Sequence, residues 1–212
     1  MINEELQAYI EGKIHHRTEL LQEIESFAHD EKVPIMELIG IEALLQILRI
    51  QNPKTILEVG AAIGYSALRM SLALPDAKIV TIERDEERAK MAENYIGRAG
   101  RTKEIILIKG DALEVEDIVK KYGPFDAIFI DAAKGQYQRF FEMYSRLLNE
   151  NGIIITDNIL FKGLVCQENI ENKRIRSLVR KIDGFNDWLM NLPNFDTAIL
   201  PVGDGIAISK KR

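Results

Sequence analysis

Hydrophobic and polar positions divide this chain into two regimes that meet near residue 54. Before that point apolar residues recur at roughly helical spacing. Leu6, Ile10, Leu20, Leu21, Ile24 and Phe27 come first, and Val33-Pro34 breaks the pattern. A second stretch runs from about Met36 to Leu48, with Ile39, Ala43, Leu44 and Ile47 on one face. From Lys54 short, nearly unbroken apolar runs take over. Those at 54–59, 78–83, 104–109, 125–131 and 151–156 read as strands covered on both faces. The stretches near 64–74, 85–99, 113–121 and 136–149 read as the helices between them. This alternation predicts a parallel, right-handed, doubly wound α/β sheet. After residue 168 a long helix carries the stripe Ile175, Leu178, Val179, Ile182, Phe185 and Leu189. Two short strands, 196–200 and 205–209, flank Gly203-Asp204-Gly205, which predicts a final antiparallel hairpin. No repeat or linker interrupts the pattern. Residues 1–212 therefore read as one domain, with 1–50 as an N-terminal helical cap.

Composition narrows the class. The 212 residues are 46% hydrophobic and 29% charged, which suits a globular core. The net charge of −5 is not that of an obvious nucleic-acid binder. A single cysteine, Cys166, excludes a disulfide within the chain. The acidic start lacks the apolar core of a signal peptide, and no run of about 18 apolar residues predicts a membrane span. A cytoplasmic location is the expectation. His15, His16 and His29 read as surface residues, and none is assigned to a metal.

Candidate chemistry gathers at predicted strand ends, where ligands of open α/β sheets bind. The first strand leads into Leu57-Glu58-Val59-Gly60-Ala61-Ala62-Ile63-Gly64-Tyr65-Ser66. Gly60 permits tight turning and close approach of a ligand. Ala62 and Tyr65 occupy the second and third glycine positions of a dinucleotide fingerprint, which argues against NAD or FAD. Glu83, 23 residues after Gly60, is placed for a ribose diol. Asp111, after the third strand, is placed to accept from an adenine amine. Ribose and adenine without pyrophosphate suggest S-adenosylmethionine, its carboxylate on a helix N-terminus and its ammonium beside Asp131 or Glu58. Glycine-rich turns and strand-end acids are also common without a ligand.

Asp131 closes the fourth strand, and Asp157-Asn158 the fifth. Two carboxylates and an amide oxygen suit a hard cation such as Mg²⁺. They leave coordination positions for two vicinal oxygens of an acceptor, whose ionised hydroxyl the metal would stabilise. Lys134 is a candidate general base or oxyanion partner. Taken alone, Asp157-Asn158 also suits a simple turn.

These segments, with Phe129-Ile130-Asp131-Ala132-Ala133-Lys134 and Thr156-Asp157-Asn158, resemble the cation-dependent O-methyltransferases, which include catechol and caffeoyl-CoA enzymes. The likeness covers roughly residues 34–210. It implies a Rossmann-like class I methyltransferase fold, a mostly parallel seven-stranded sheet with an antiparallel C-terminal strand. Within the family, Val33-Pro34-Ile35-Met36-Glu37, Gly135-Gln136-Tyr137, Asn158-Ile159-Leu160-Phe161-Lys162-Gly163 and Pro201-Val202-Gly203-Asp204-Gly205 are similar to bacterial tRNA 5-hydroxyuridine methyltransferases. That resemblance implies Met36, Ser66, Glu83, Asp111 and Asp131 at the cofactor, Asp131, Asp157 and Asn158 at Mg²⁺, and a homodimer. The 5-hydroxyl and 4-keto oxygens of 5-hydroxyuridine would chelate a metal much as a catechol does.

The expected substrate is therefore tRNA, and a small catechol-like or caffeoyl-CoA-like molecule is the alternative. Lys173, Arg174, Arg176, Arg180 and Lys181 form a window without acids, suited to RNA phosphates. Lys210-Lys211-Arg212 and Arg98, Arg101 and Lys103 are further basic groups, and Phe161, Tyr137 and Trp188 are candidate platforms for unstacked bases. A basic helix face equally serves as a solvated face.

Overall fold

The computed structural model describes residues 4–167 and 169–212. Residues 1–3, part of the acidic start, and 168 lie outside the described residues. Three helices open the chain: α1 (Glu4–Glu11), α2 (Glu19–Asp30) and α3 (Leu38–Gln51). The Thr18 hydroxyl caps α2 by accepting from the Leu21 N–H. Then follow β1 (Thr55–Val59), α4 (Tyr65–Ala73), β2 (Lys78–Glu83), α5 (Glu86–Arg98), β3 (Ile105–Lys109), α6 (Glu116–Val119) and β4 (Phe125–Ile130). The chain ends with α7 (Tyr137–Tyr144), β5 (Leu148–Thr156), α8 (Lys173–Met190), β6 (Phe195–Leu200) and β7 (Ile206–Lys211).

The seven strands lie in the order β3-β2-β1-β4-β5-β7-β6. The first five pair in parallel, and β7 and β6 run antiparallel beside β5. Alternate strand residues feed two cores. Ile56, Ile79 and Phe129 pack toward α2–α5, while Leu57, Val80 and Ile128 pack toward α7 and α8. Strand order reverses between β1 and β4, the topological switch point where such sheets open a crevice.

An ionic network ties the cap to the sheet. Arg69 of α4, buried, donates to Glu42 of α3 and, at 2.6 Å, to the Tyr65 hydroxyl. That hydroxyl donates in turn to Glu25 of α2 at 2.6 Å, and Arg17 holds the same carboxylate at 2.9 Å.

Four details differ from the sequence reading. The buried face of α3 is Ile41, Leu44, Leu45 and Leu48, so Ile39, Ala43 and Ile47 lie half-exposed at its edge. The expected helix at 113–121 shrinks to α6 and a 3₁₀ turn. The one expected at 136–149 stops early, because Leu148 already pairs with Phe125. Ile175 is 37% exposed, above the point where α8 reaches the core.

Gly60 fixes the geometry of the crevice. Its φ is 103°, and a Cβ there would stand 2.1 Å from the Asp131 carbonyl oxygen. Gly184, within α8, has no neighbour that a Cβ would meet. Gly60→Ala is expected to destabilise the fold by about 2 kcal/mol or more. Gly184→Ala should stabilise it by about 0.5–1 kcal/mol. Urea unfolding of the two variants checks both signs.

Candidate active site

Backbone pairing continues past the strand ends and builds the floor of the crevice. The Asp131 N–H donates to Val59 O at 3.0 Å, and the Asp157 N–H to Ile130 O at 3.1 Å. Three successive strand ends, those of β1, β4 and β5, are thereby held level. A cavity of about 600 Å³ lies above them.

At one end of it, Glu83 accepts from the Ala62 N–H at 2.7 Å and from the Asp85 N–H at 2.8 Å. Its carboxylate is locked in place facing the cavity, with acceptor capacity to spare for a diol. Asp111 accepts from the Leu113 N–H at 2.9 Å and lies 3.6 Å from Arg84. Met36, buried, comes in from the segment before α3. Gly60 and Ser66 line the wall, where the first N–H groups of α4 lack intrahelical partners and suit an anion.

Glu58 is a correction. It lies within β1 rather than at its end, is fully buried and does not reach the cavity. Its carboxylate accepts from the hydroxyls of Ser66 and Thr81 instead. Burial pushes its pKa up to about 7, against the pull of those two hydrogen bonds and with the help of the charges on Asp131 and Glu83. Its place is to hold Ser66, which does face the cavity.

At the other end Asp131, Asp157, Asn158 and Lys134 meet. Asp157 is almost fully buried and accepts from the Asn158 amide at 2.7 Å. Asn158 adopts the left-handed conformation, φ 61°, and its amide oxygen accepts from Lys134. Burial raises both carboxyls above their ordinary range, for Asp157 with the charge of Asp131 next. Lys134 offsets part of this, and Asp204 adds to it. The nearest cation is one ammonium, which already engages an amide oxygen. Among the described residues no three His, Cys, Asp or Glu side chains form a metal cluster. A cation here would need the Asn158 oxygen as third donor, a normal ligand for a hard ion.

Asp204, Glu37 and Lys162 also line the cavity and were not foreseen. The turn at Asp204 folds over the segment after β5, with the Leu160 N–H donating to Asp204 O at 2.9 Å. The signal was topological: a β7 antiparallel to β5 must begin where β5 ends, beside Asp157.

The basic groups separate. Lys173, Arg174, Arg180 and Lys181 are exposed on α8, and Arg176 is half-buried, donating to Ile170 O at 3.2 Å. Lys181 reaches the rim, its ammonium 3.8 Å from where a Cβ on Gly135 would stand. The C-terminal basic residues lie at the opposite end of the sheet, Lys211 paired with Glu150 at 2.9 Å and Arg212 with Asp196. Arg98 is paired with Glu23, so neither group extends the α8 surface. Tyr137 and Trp188 pack with Phe185 and Phe141 in the core and present no platform for a base; Phe161 stays at the rim, its ring centroid 5.8 Å from the Lys134 ammonium. Cys166 is exposed, and no helix among the described residues is long and apolar enough to cross a membrane.

Known proteins resemble this chain in sequence and fold. The family model described as O-methyltransferase matches residues 11–212. The catechol O-methyltransferase of Niastella koreensis is 34% identical over 174 residues, covering 78% of this chain and 77% of that protein. The caffeoyl-CoA O-methyltransferase of Medicago sativa is 32% identical over 180 residues, covering 79% and 71%. The S-adenosylhomocysteine-bound methyltransferase of Podospora anserina superposes with a TM-score of 0.86 at 29% identity, over 100% of this chain and 97% of that one. The chain belongs to the O-methyltransferase family of catechol and caffeoyl-CoA type, S-adenosylmethionine-dependent enzymes built on the class I methyltransferase sheet.

Proposed function

We propose that this enzyme is divalent-cation-dependent and methylates one of two vicinal oxygens on a small catechol-like or caffeoyl-CoA-like acceptor. The observation that carries the reading is the pair of carboxyls at the cavity floor, Asp131 half-buried and Asp157 almost fully buried, both raised above their ordinary ionisation range beside an amide oxygen. Asp131, Asp157 and Asn158 would hold Mg²⁺, which when bound stabilises the ionised acceptor hydroxyl. Lys134, which lines the cavity, would take the acceptor proton or face the oxyanion. Met36, Gly60, Ser66, Glu83 and Asp111 would hold the methyl donor, with Asp131 facing its ammonium. Glu83 orients the ribose, and the α4 N-terminus receives the carboxylate. Aligning the two reactants supplies much of the rate in such a transfer.

The second reading, methylation of 5-hydroxyuridine in tRNA, is favoured by one observation. The basic face of α8 reaches Gly135 through Lys181, between the cavity-lining Lys134 and Gln136. A homodimer and a cytoplasmic location remain part of the proposal. Such a dimer would cover apolar surface of the kind seen at Ile50, 78% exposed at the end of α3.

Labelled methyl donor offered with a catechol, a caffeoyl thioester and hydroxylated tRNA tests both readings. Transfer to the small acceptors is expected to stop with chelator and return with Mg²⁺. Asp157→Ala should cost about 100-fold or more in turnover. Chelator-resistant transfer contradicts the proposal.

The pH dependence has a definite sign. Asp131 and Asp157 stand raised from 3.8 to about 6 and about 8. The metal-free folded chain thus keeps protons that the unfolded chain has released. This contribution to stability is complete below about pH 4 and is lost as pH rises toward about 8. The melting-temperature gain from Mg²⁺ should therefore grow over that range, and a gain that shrinks with pH would refute the assignment.

Replacing Arg174, Arg176 and Arg180 by Gln separates the substrates. On the tRNA reading, tRNA methylation falls by about 10-fold or more and becomes less salt-dependent, while catechol methylation is unchanged. Intact tRNA methylation in that variant removes α8 from the argument.

A further inference from the structure

Two tyrosines of α7 are buried, and only one is satisfied. Tyr144 donates its hydroxyl to the Ala112 carbonyl at 2.6 Å. Tyr137, 1% exposed, has no hydrogen-bond partner for its hydroxyl among the described residues. Its ring is fixed against Phe185, with centroids 5.4 Å apart. Buried polar groups are nearly always partnered, so an orphan of this kind calls for a cause.

The surroundings supply one. The charges that this hydroxyl feels are those of Asp131, Asp157 and Asp204. With burial, they hold the phenol well above its ordinary pKa, so it stays a donor within electrostatic reach of three carboxylates. Asn186 of α8 donates to the Ile159 carbonyl at 2.8 Å, one residue beyond Asn158.

We propose that Tyr137 is a positioning residue for the divalent cation. In the metal-loaded protein its hydroxyl donates to the Asp131–Asp157 pair and fixes the carboxylates toward the cavity. This rests on the reading of that pair as a metal site. Ligand carboxylates are themselves hydrogen-bonded, and losing such a partner typically weakens metal affinity 10- to 100-fold. A tyrosine that only fills space predicts something else: its hydroxyl can be deleted with no effect on metal uptake.

The full chain and its Tyr137→Phe, Tyr144→Phe and Asp157→Ala variants are titrated with MgCl₂ by calorimetry, and each is melted in chelator. Tyr137→Phe is expected to weaken Mg²⁺ binding by about 10-fold or more, without lowering the metal-free melting temperature, since no bond is lost there. Tyr144→Phe should do the reverse, melting earlier at unchanged affinity. Tyr137→Phe binding Mg²⁺ within about twofold of the parent, while Asp157→Ala loses it, overturns the inference and leaves the metal reading intact. A parent chain that takes up no Mg²⁺ sinks the reading and the inference together. The affinity decides, whichever way the melting temperature of Tyr137→Phe moves.

Discussion

Two carboxylates fixed at neighbouring strand ends cannot both ionise cheaply without a cation between them. Parallel pairing of β4 with β5 sets Asp131 next to Asp157 at the floor of the cavity, the first half-buried and the second almost fully buried. Burial makes the isolated charges costly, and proximity makes the second costlier than the first. Lys134 provides one positive charge, engaged with the Asn158 amide oxygen. The site is therefore underneutralised in the protein alone, and a divalent ion is the simplest remedy that the donor set accepts.

The same edge makes room for the methyl donor through one backbone choice. The left-handed turn at Gly60 lets β1 end against the Asp131 carbonyl, where no side chain fits. The donor cavity and the acid pair thus share a wall. Geometry that would otherwise need two mobile partners is built into the sheet, which is how orientation becomes rate.

Most of this was legible in the sequence, for a physical reason. Strands β1 to β5 are covered on both faces, so their apolar runs stand out against the polar loops between them. Strand-end residues then fall on the ligand-binding edge by topology, and Asp131, Asp157, Asn158, Glu83 and Asp111 all lie there. Glu58 was misplaced because a residue inside a strand points at a face of the sheet, not at its edge. Its partners, Ser66 and Thr81, come from α4 and β2. The buried face of α3 was misjudged because the helix is apolar nearly all round, and periodicity alone does not say which side α2 and α4 will cover. Asp204 was hidden for another reason. It is next to Asp157 only through the antiparallel return of β7, a long-range pairing that no local pattern announces.

A metal clamp of the proposed kind would not distinguish a catechol from a hydroxylated base, since both offer two adjacent oxygens. Selection has to come from the rim. Burial raises the Glu37 carboxyl, the charge of Asp204 adds to it, and Lys162 opposes. Across the cavity the α8 side is cationic, with Lys181 beside Gly135. On the proposed reading, an acceptor bearing phosphates, whether a coenzyme A thioester or an RNA, would be repelled by the acid pair and would extend over α8. A neutral diol meets neither constraint. The rim thus sets the direction in which a large anionic acceptor leaves the cavity, while the chemistry at the floor stays the same for every acceptor that chelates.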